Sequence, residues 1–572
     1  MRRIWPDLMA AAFFVLAAVL VLRGLWADPG RRLLATNPQD QILFEWMLQH
    51  TAQAIAHARD PFLSPILGTP TAANLAGNTS VVLVGVLLAP VTRLVSPGAS
   101  FTIFTTAALA GTAIAWYAFL RRRLSTSVPA AFVGGLFCGF APGIVSQANG
   151  HPHIAAQFFV PLLVALTLNL GVPGRWWSHP LRGAGLGLVA AAQILLGEET
   201  LFLAALGLGG FIVFYAVQRP EIFFGRWKAA LVSLVSAAVV ALSIVGYPLW
   251  VQFLGPDAYH GLPSGRYVAD LGSFTAYAAA SIAGSPAAAA EVAPNPSEQA
   301  AFFGVPLIVV AAVATVWLRR LVWVRSAALT AVLACVASLG VLPKWHGRAI
   351  GVPGSWTLVA QLPLFRDVVV VRLALIAIPV IGLLLAVSWD YAARLSVLRW
   401  AWPAMVLVAL IPTLPRGLGA VVAKPAPAFI SSGEWRSCAE QHGTLIAYGD
   451  TTRAGVIHYQ MRLQLAAKLG YASPNGYYFS RDHDGEGRLG RPLRTMDVAV
   501  MTARETGRPP ELTPRQLTVA RADLVYWRAQ CVVLQQGGPH ADAMRDTITG
   551  IVQQPVQTGG GVWYWRIPQR TS

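Results

Sequence analysis

The sequence predicts a polytopic α-helical membrane protein with about eleven transmembrane helices and a C-terminal extracytoplasmic α/β or α+β domain. Three observations carry this expectation. Hydrophobic residues make up 55% of the chain and charged residues only 12%, with a mean hydropathy of +0.54. Apolar runs of about 20 residues recur, the length that a hydrocarbon slab about 30 Å thick demands of a helix. Finally, the composition turns polar after about residue 420 and stays so to the end.

Arginine placement orders the apolar runs. Arg2 and Arg3 precede the run 8–27, Arg121, Arg122 and Arg123 follow 101–120, and Arg175 and Arg182 flank the loop after 154–172. Arg219, Arg226 and Lys228 follow 201–218, Arg319, Arg320 and Arg325 follow 301–317, and Arg394 and Arg399 follow 373–389. With these loops cytoplasmic, spans fall at 8–27, 101–120, 128–148, 154–172, 183–197, 201–218, 229–248, 301–317, 326–342, 373–389 and 399–415. The positive-inside rule then places the N-terminus inside and the tail outside the plasma membrane. The run 81–95 is left as a helix on the outer face, because a span there would export the triple arginine. The first run reads as an uncleaved span, since no small-x-small cleavage site follows Arg23. The net charge of +17 belongs to these loops, so it indicates the bilayer and no nucleic acid.

This topology divides the chain into a transmembrane domain, 1–419, and a soluble domain, 420–572. Polar chemistry falls on the outer loops 28–100, 249–300 and 343–372 and on the tail. Cys138 and Cys335 lie inside spans and read as small apolar packers. Cys438 and Cys531, both in the exported tail, are candidates for a disulfide. No cysteine or histidine spacing marks a zinc or iron–sulfur site.

In the first outer loop a helix is expected over 41–58, lying along the membrane surface with Ile42, Leu43, Trp46, Met47 and Ile55 roughly on one face. Asp40 stands at its start as either a capping residue or a functional carboxylate. Asp40, the helix with Glu45-Trp46, the Asp60-Pro61-Phe62 turn, Asn74-Leu75-Ala76-Gly77-Asn78-Thr79 and then Gly150-His151-Pro152-His153 arrive in an order that resembles the GT-C superfamily of membrane glycosyltransferases. The pattern looks more narrowly like a group of actinobacterial multi-span proteins described only as candidate glycosyltransferases. The resemblance runs over most of 30–400 and implies a GT-C-like fold and an inverting hexosyl- or pentosyltransferase of cell-envelope biogenesis. It also implies a polyprenyl-phosphate sugar donor and a glycan or glycolipid acceptor. An acidic residue of the first outer loop is the catalytic base in such enzymes, and Asp40 matches it. Only one aspartate precedes the helix and no Asp-x-Asp pair occurs, so no metal or other cofactor is implied.

The residues argue for the same chemistry on their own. An activated lipid-phosphate sugar needs one base for the acceptor hydroxyl and cations for the leaving phosphate. Lys344, Arg348, Arg366 and Arg372 are the candidate cations, and Arg372 opens a span after four valines, where a bare charge must pair or snorkel. Glu198 and Glu199, between two apolar runs, are candidates for a second active-site carboxylate or for partners of an arginine. His151 and His153 are candidates for hydrogen bonding to substrate, as are Glu45 and Trp46 on the first outer loop. Tyr259 and Arg266 lie in a loop, 253–275, suited to covering a sugar, while 276–301 reads as a flexible Ala-, Pro- and Ser-rich segment. In the tail, strands are expected at 444–448, 524–527, 532–534 and 562–565, with a helix over 459–469. Two other functions fit the sequence: a transporter or flippase of lipid-linked glycans, and a non-catalytic envelope-assembly protein.

Overall fold

The computed structural model describes residues 4–79, 81–261, 267–449 and 453–568, with side chains from 458 onward in the last segment. Arg266 therefore lies outside the described residues. The chain divides into two compact units. The first comprises Met1–Pro38, Phe101–Gly246 and Gly261–Val421, and the second Gln39–Ser100, Tyr247–His260 and Val422–Ser572. The boundary expected at 419/420 is close to the last of these crossings, but the second unit also takes in most of the first outer loop and a piece of the next.

The first unit is mostly helical. Four helices are long and apolar enough to cross a membrane: Pro97–Arg123, Ser178–Gln218, Pro220–Leu254 and Val370–Ala392. A fifth crossing results if Val128–Phe140 and Pro142–Ala148, bent by 43°, count as one. Pro142 explains that bend, since a proline removes a ladder donor and clashes with the preceding turn. Helix occurs within all eleven expected runs, but Trp5–Val21, Val160–Asn169, Val305–Trp317, Val322–Ser338 and Leu398–Thr413 are shorter. The runs 183–197 and 201–218 belong to the one stretch Ser178–Gln218, broken where Gly197 leaves helical geometry at φ 169° and ψ 106°.

Glycines bring these helices together. A Cβ at Gly139 would lie 2.5 Å from Ala113 Cβ, and one at Gly382 would meet Cys138 Sγ. The helix Val128–Phe140 thus packs backbone-close against both neighbours, as small residues allow in an apolar solvent where packing, not the hydrophobic effect, drives association.

In the second unit, the helix Pro38–Ala56 is not the surface helix expected. Asp40, Gln41, Glu45, Trp46 and His50 are buried along with Ile42, Leu43 and Met47, so the helix is enclosed on all sides up to its last turn, where Ile55 is exposed. The run 81–95 forms two six-residue helices, Val82–Leu87 and Ala89–Leu94, each about 9 Å long and far too short to cross.

The tail forms a four-stranded sheet. Ala529–Gln535 pairs in parallel with Thr444–Tyr448 and antiparallel with Val562–Arg566, and Gln557–Gly559 closes the edge. Side chains alternate between two cores. Ile446, Tyr448, Val532 and Leu534 meet Met496, Val500, Met544 and Ile548 on one face. Leu445, Ala447, Cys531 and Val533 meet Phe429, Trp435, Leu463 and Tyr471 on the other. Helices on both faces explain why these strands read as unbroken apolar runs. Cys438 and Cys531 are joined as a disulfide, 93 residues apart in sequence and 5.4 Å between Cα atoms.

One tail expectation is corrected. Leu524–Trp527 is not a strand: it is the last turn of the helix Pro514–Tyr526 and the residue after it. Thr513 and Gln516 form a capping box at its start, with Pro514 in the first turn. Leu517, Ala520, Leu524 and Trp527 then recur at three- and four-residue spacing on the core side, a period that four residues read alone cannot reveal.

Candidate functional site

Within the first unit, four polar side chains from separate elements gather around Arg372. The guanidinium sits on the 3₁₀ turn Val370–Ile376, which leads straight into the apolar helix Ala377–Ala392. Its Nε donates to both oxygens of Glu298 at 3.0 and 3.2 Å, and its Nη2 donates to Glu298 Oε1 at 2.5 Å. Nη1 donates to Glu199 Oε2, and Nη2 lies 3.3 Å from His151 Nδ1. Gln147 Nε2 completes the group with a 3.0 Å bond to Glu298 Oε2. Arg372 and Glu298 are 6% and 2% exposed. A bare charge so buried is untenable, and a fork of donors facing two carboxylates is what makes this one stable.

Local sequence sets these positions. Pro152 starts a helical turn directly after His151, and Gly150 takes a left-handed φ of 118° before it. The break at Gly197 presents Glu199 from the middle of a long apolar helix and lets His153 pack close, 3.2 Å from where a glycine Cβ would stand. Ser297-Glu298-Gln299 is clamped from both sides. Asn37 Nδ2 donates to Ser297 Oγ at 3.3 Å and to Asn149 O at 3.0 Å, and Gln299 N donates to Ser146 Oγ at 3.3 Å. The segment 276–301, expected to be flexible, therefore ends in a buried and bonded triplet.

Glu298 is the residue that sequence reasoning missed. Its only signal was that it is one of two acids, with Glu291, in an Ala-, Pro- and Ser-rich stretch. Of the expected carboxylate pair, Glu199 holds Arg372, while Glu198 is half-buried beside it.

Two buried acceptors in this cluster, Glu199 Oε1 and Gln147 Oε1, have no hydrogen-bond partner among the described residues, and the same is true of the donor Arg366 Nε. Arg366 follows Phe365, whose ring packs edge-on to Phe202 at 5.4 Å, one turn beyond Glu199. Unsatisfied buried polar atoms are rare in folded proteins, and each calls for a water, an ion or a ligand as partner. A cavity of about 250 Å³ lies in the same unit, its lining including Thr200, Leu203, Phe211, Trp323, Leu375 and Val380. Thr200 follows Glu199 directly, and Leu375 lies three residues past Arg372, so the cavity lining and the polar cluster share two stretches of chain.

Other expected site residues have structural partners. Tyr259 donates to Gly77 O at 2.6 Å. Lys344 and Arg348 stand on a two-stranded hairpin, Arg348 exposed and Lys344 partly buried. In the second unit, Trp46 Nε1 donates to Gln464 Oε1 at 3.0 Å and its ring stacks on His50 at 5.2 Å. Asp40 is 8% exposed in the first turn of its helix. Among the described residues, no three His, Cys, Asp or Glu side chains come together as metal ligands.

Glu45 Oε1 accepts from Gln41 Nε2 at 2.7 Å, and burial pushes its carboxyl up to about 7 despite that bond. Below the unfolded value of 4.5 it is neutral in both states; as pH rises towards 7 only the unfolded chain ionises, so stability falls across that window. Each pH unit there costs about 1.4 kcal/mol. His50, held down to about 4 by burial, acts in the opposite sense below 6.5, and Asp497, raised to about 6 by burial, adds a slope of its own. The readout is therefore the difference between wild type and Glu45→Gln. Chemical denaturation at pH 4.5 and pH 7 should show the variant gaining about 3 kcal/mol relative to wild type over that interval. Parallel pH profiles would show Glu45 to be solvated.

No protein-family model matches the sequence, and no curated protein matches it either. Solved structures do. The mycobacterial arabinofuranosyltransferase AftD superposes with a TM-score of 0.54 at 12% identity, covering 100% of this chain and 40% of that one. The oligosaccharyltransferase AglB of Archaeoglobus fulgidus, in complex with an inhibitory peptide and a dolichol-phosphate, gives 0.50 at 10% identity over 92% of this chain and 69% of that one. The Archaeoglobus fulgidus oligosaccharyltransferase tethered to an acceptor peptide gives 0.51 at 13% identity, over 100% and 75%. At such identities the likeness is one of fold, and this chain spans well under half the length of the arabinofuranosyltransferase. The fold is that of the GT-C membrane glycosyltransferases, as the order of motifs in the sequence implied.

Proposed function

We propose that this chain is an inverting membrane glycosyltransferase that moves a hexosyl or pentosyl group from a polyprenyl-phosphate donor to a cell-envelope glycan or lipid on the extracytoplasmic face. The observation that carries the reading is a buried polar cluster with two unpartnered acceptors, in the same unit as an apolar cavity lined by Thr200 and Leu375. A lipid-linked sugar has that division: an apolar chain for the cavity, and hydroxyl donors for Glu199 and Gln147. Arg366, with a buried donor unused, suits the phosphate. In a single displacement Asp40 takes the proton of the acceptor hydroxyl, that oxygen bonds to the anomeric carbon, and the carbon–oxygen bond to phosphate breaks. The electron pair leaves with the polyprenyl phosphate, and configuration inverts. The proposed topology keeps eleven crossings, with the tail outside to hold or cover the acceptor.

The test is direct. Purified chain in lipid nanodiscs, given radiolabelled polyprenyl-phosphate pentose or hexose and cell-envelope glycan extract, should transfer label and release polyprenyl phosphate. Binding of the donor with no release, under any acceptor, would indicate a carrier of lipid-linked glycans instead.

A further inference from the structure

The connection between the helix Val322–Ser338 and the span that begins at Val370 is built to present apolar groups. Its hairpin pairs Lys344–Trp345 with Arg348–Ala349, and the turn is locked from below by a buried carboxylate. Asp270 Oδ1 accepts from His346 N at 3.0 Å and from Gly272 N at 2.8 Å, while Oδ2 accepts from Gly347 N at 2.8 Å. Gly347 adopts the left-handed φ of 77° that this turn requires. Further along, Trp356 is buried against Phe365, with ring centroids 5.7 Å apart.

Between these anchors the large apolar side chains point outward. Leu342, Trp345, Ile350, Val352, Leu358 and Leu362 are all exposed, and Leu358 reaches 86%. The anchors prevent the segment from folding these groups inward. From residue 339 to 366 the chain carries Lys344, His346, Arg348 and Arg366 and no acid. Exposed apolar patches of this kind mark an interface with something. The chain itself limits what that is, because Leu362 lies eight residues before a helix long and apolar enough to cross the membrane. The loop thus sits at the rim of the hydrocarbon, where a tryptophan and basic residues beside protruding leucines suit an anionic lipid surface.

We propose that residues 342–364 form a membrane-docking loop that inserts its apolar side chains into the headgroup layer of an anionic leaflet, with Lys344 and Arg348 on lipid phosphates. The proposal rests on the chain being a membrane protein and is independent of sugar transfer. Docking would brace the segment that leads into Arg366 and Arg372.

The experiment uses the full chain in nanodiscs, with Cys138 and Cys335 replaced by alanine and a spin label at Leu358→Cys or, separately, Leu362→Cys. A label at Val519→Cys, on the exposed side of a tail helix, is the aqueous reference. Oxygen should relax the loop labels severalfold more than a water-soluble nickel chelate does, and the order should reverse at position 519. Adding phosphatidylglycerol should deepen the loop labels, and Lys344→Glu with Arg348→Glu should abolish that response. Nickel dominating at both loop positions would overturn the proposal. So would shielding from both reagents, which would mark a protein partner or a second copy on the patch, and so would indifference to phosphatidylglycerol, which would remove the anionic surface as the occupant.

Discussion

Asp40→Asn is expected to lower sugar transfer by about 10²–10⁴-fold while the protein expresses, folds and binds donor normally. A general base works only through its ionised carboxylate, and asparagine offers an oxygen of the same size that takes no proton. The helix Pro38–Ala56 would hardly notice the change. Asp40 is the third residue of that helix, where exchanging its charge for an amide costs about 0.3–1 kcal/mol of interaction with the helix dipole. The two roles that the sequence left open therefore separate on one substitution. Transfer at the wild-type rate by a variant of unchanged melting temperature would eliminate Asp40 as the base and leave it a structural residue of the first turn.

How much of this was legible beforehand depended on whether the deciding partner lay nearby in sequence. Arg372 was conspicuous because a cation at the mouth of an apolar helix has to be neutralised by something. Its partners were legible only in part: Glu199, 173 positions away, already stood as a candidate partner of an arginine, whereas Glu298, 74 positions away, did not. The same distinction holds elsewhere. The strands 444–448 and 562–565 announced themselves by composition, whereas the turn 524–527 is helical because of a capping box eleven positions earlier.

The helix Pro38–Ala56 gives the complementary lesson. Its polar residues suggested a wet face along the membrane, but they are enclosed, Gln41 on Glu45 and Trp46 on Gln464. A polar face signifies solvent only if no other part of the chain can satisfy it, and here the partner of Trp46 lies 418 residues on. The GT-C likeness was readable for a different reason. It rested on motif order within this sequence, and the likeness of fold to solved structures holds at 10–13% identity.

The second large effect is expected at the fork itself. Arg372→Met leaves Glu298 and Glu199 facing each other without a cation, and removing one partner of a buried ion pair typically costs about 3–5 kcal/mol. Membrane-extracted protein should accordingly unfold well below the wild-type midpoint. Arg372→Met combined with Glu298→Gln should recover most of that loss, since one of the stranded charges becomes an amide that Gln147 can still bond. Activity then distinguishes scaffold from site. If the fork only braces the helices, the double variant should regain transfer along with stability. If Glu298 and Arg372 set the geometry of Glu199 around the sugar, stability should return while turnover stays depressed, with donor binding weakened as well. An Arg372→Met variant that unfolds at the wild-type midpoint would show the guanidinium to be solvated, and with it the buried cluster would lose its standing as the candidate site.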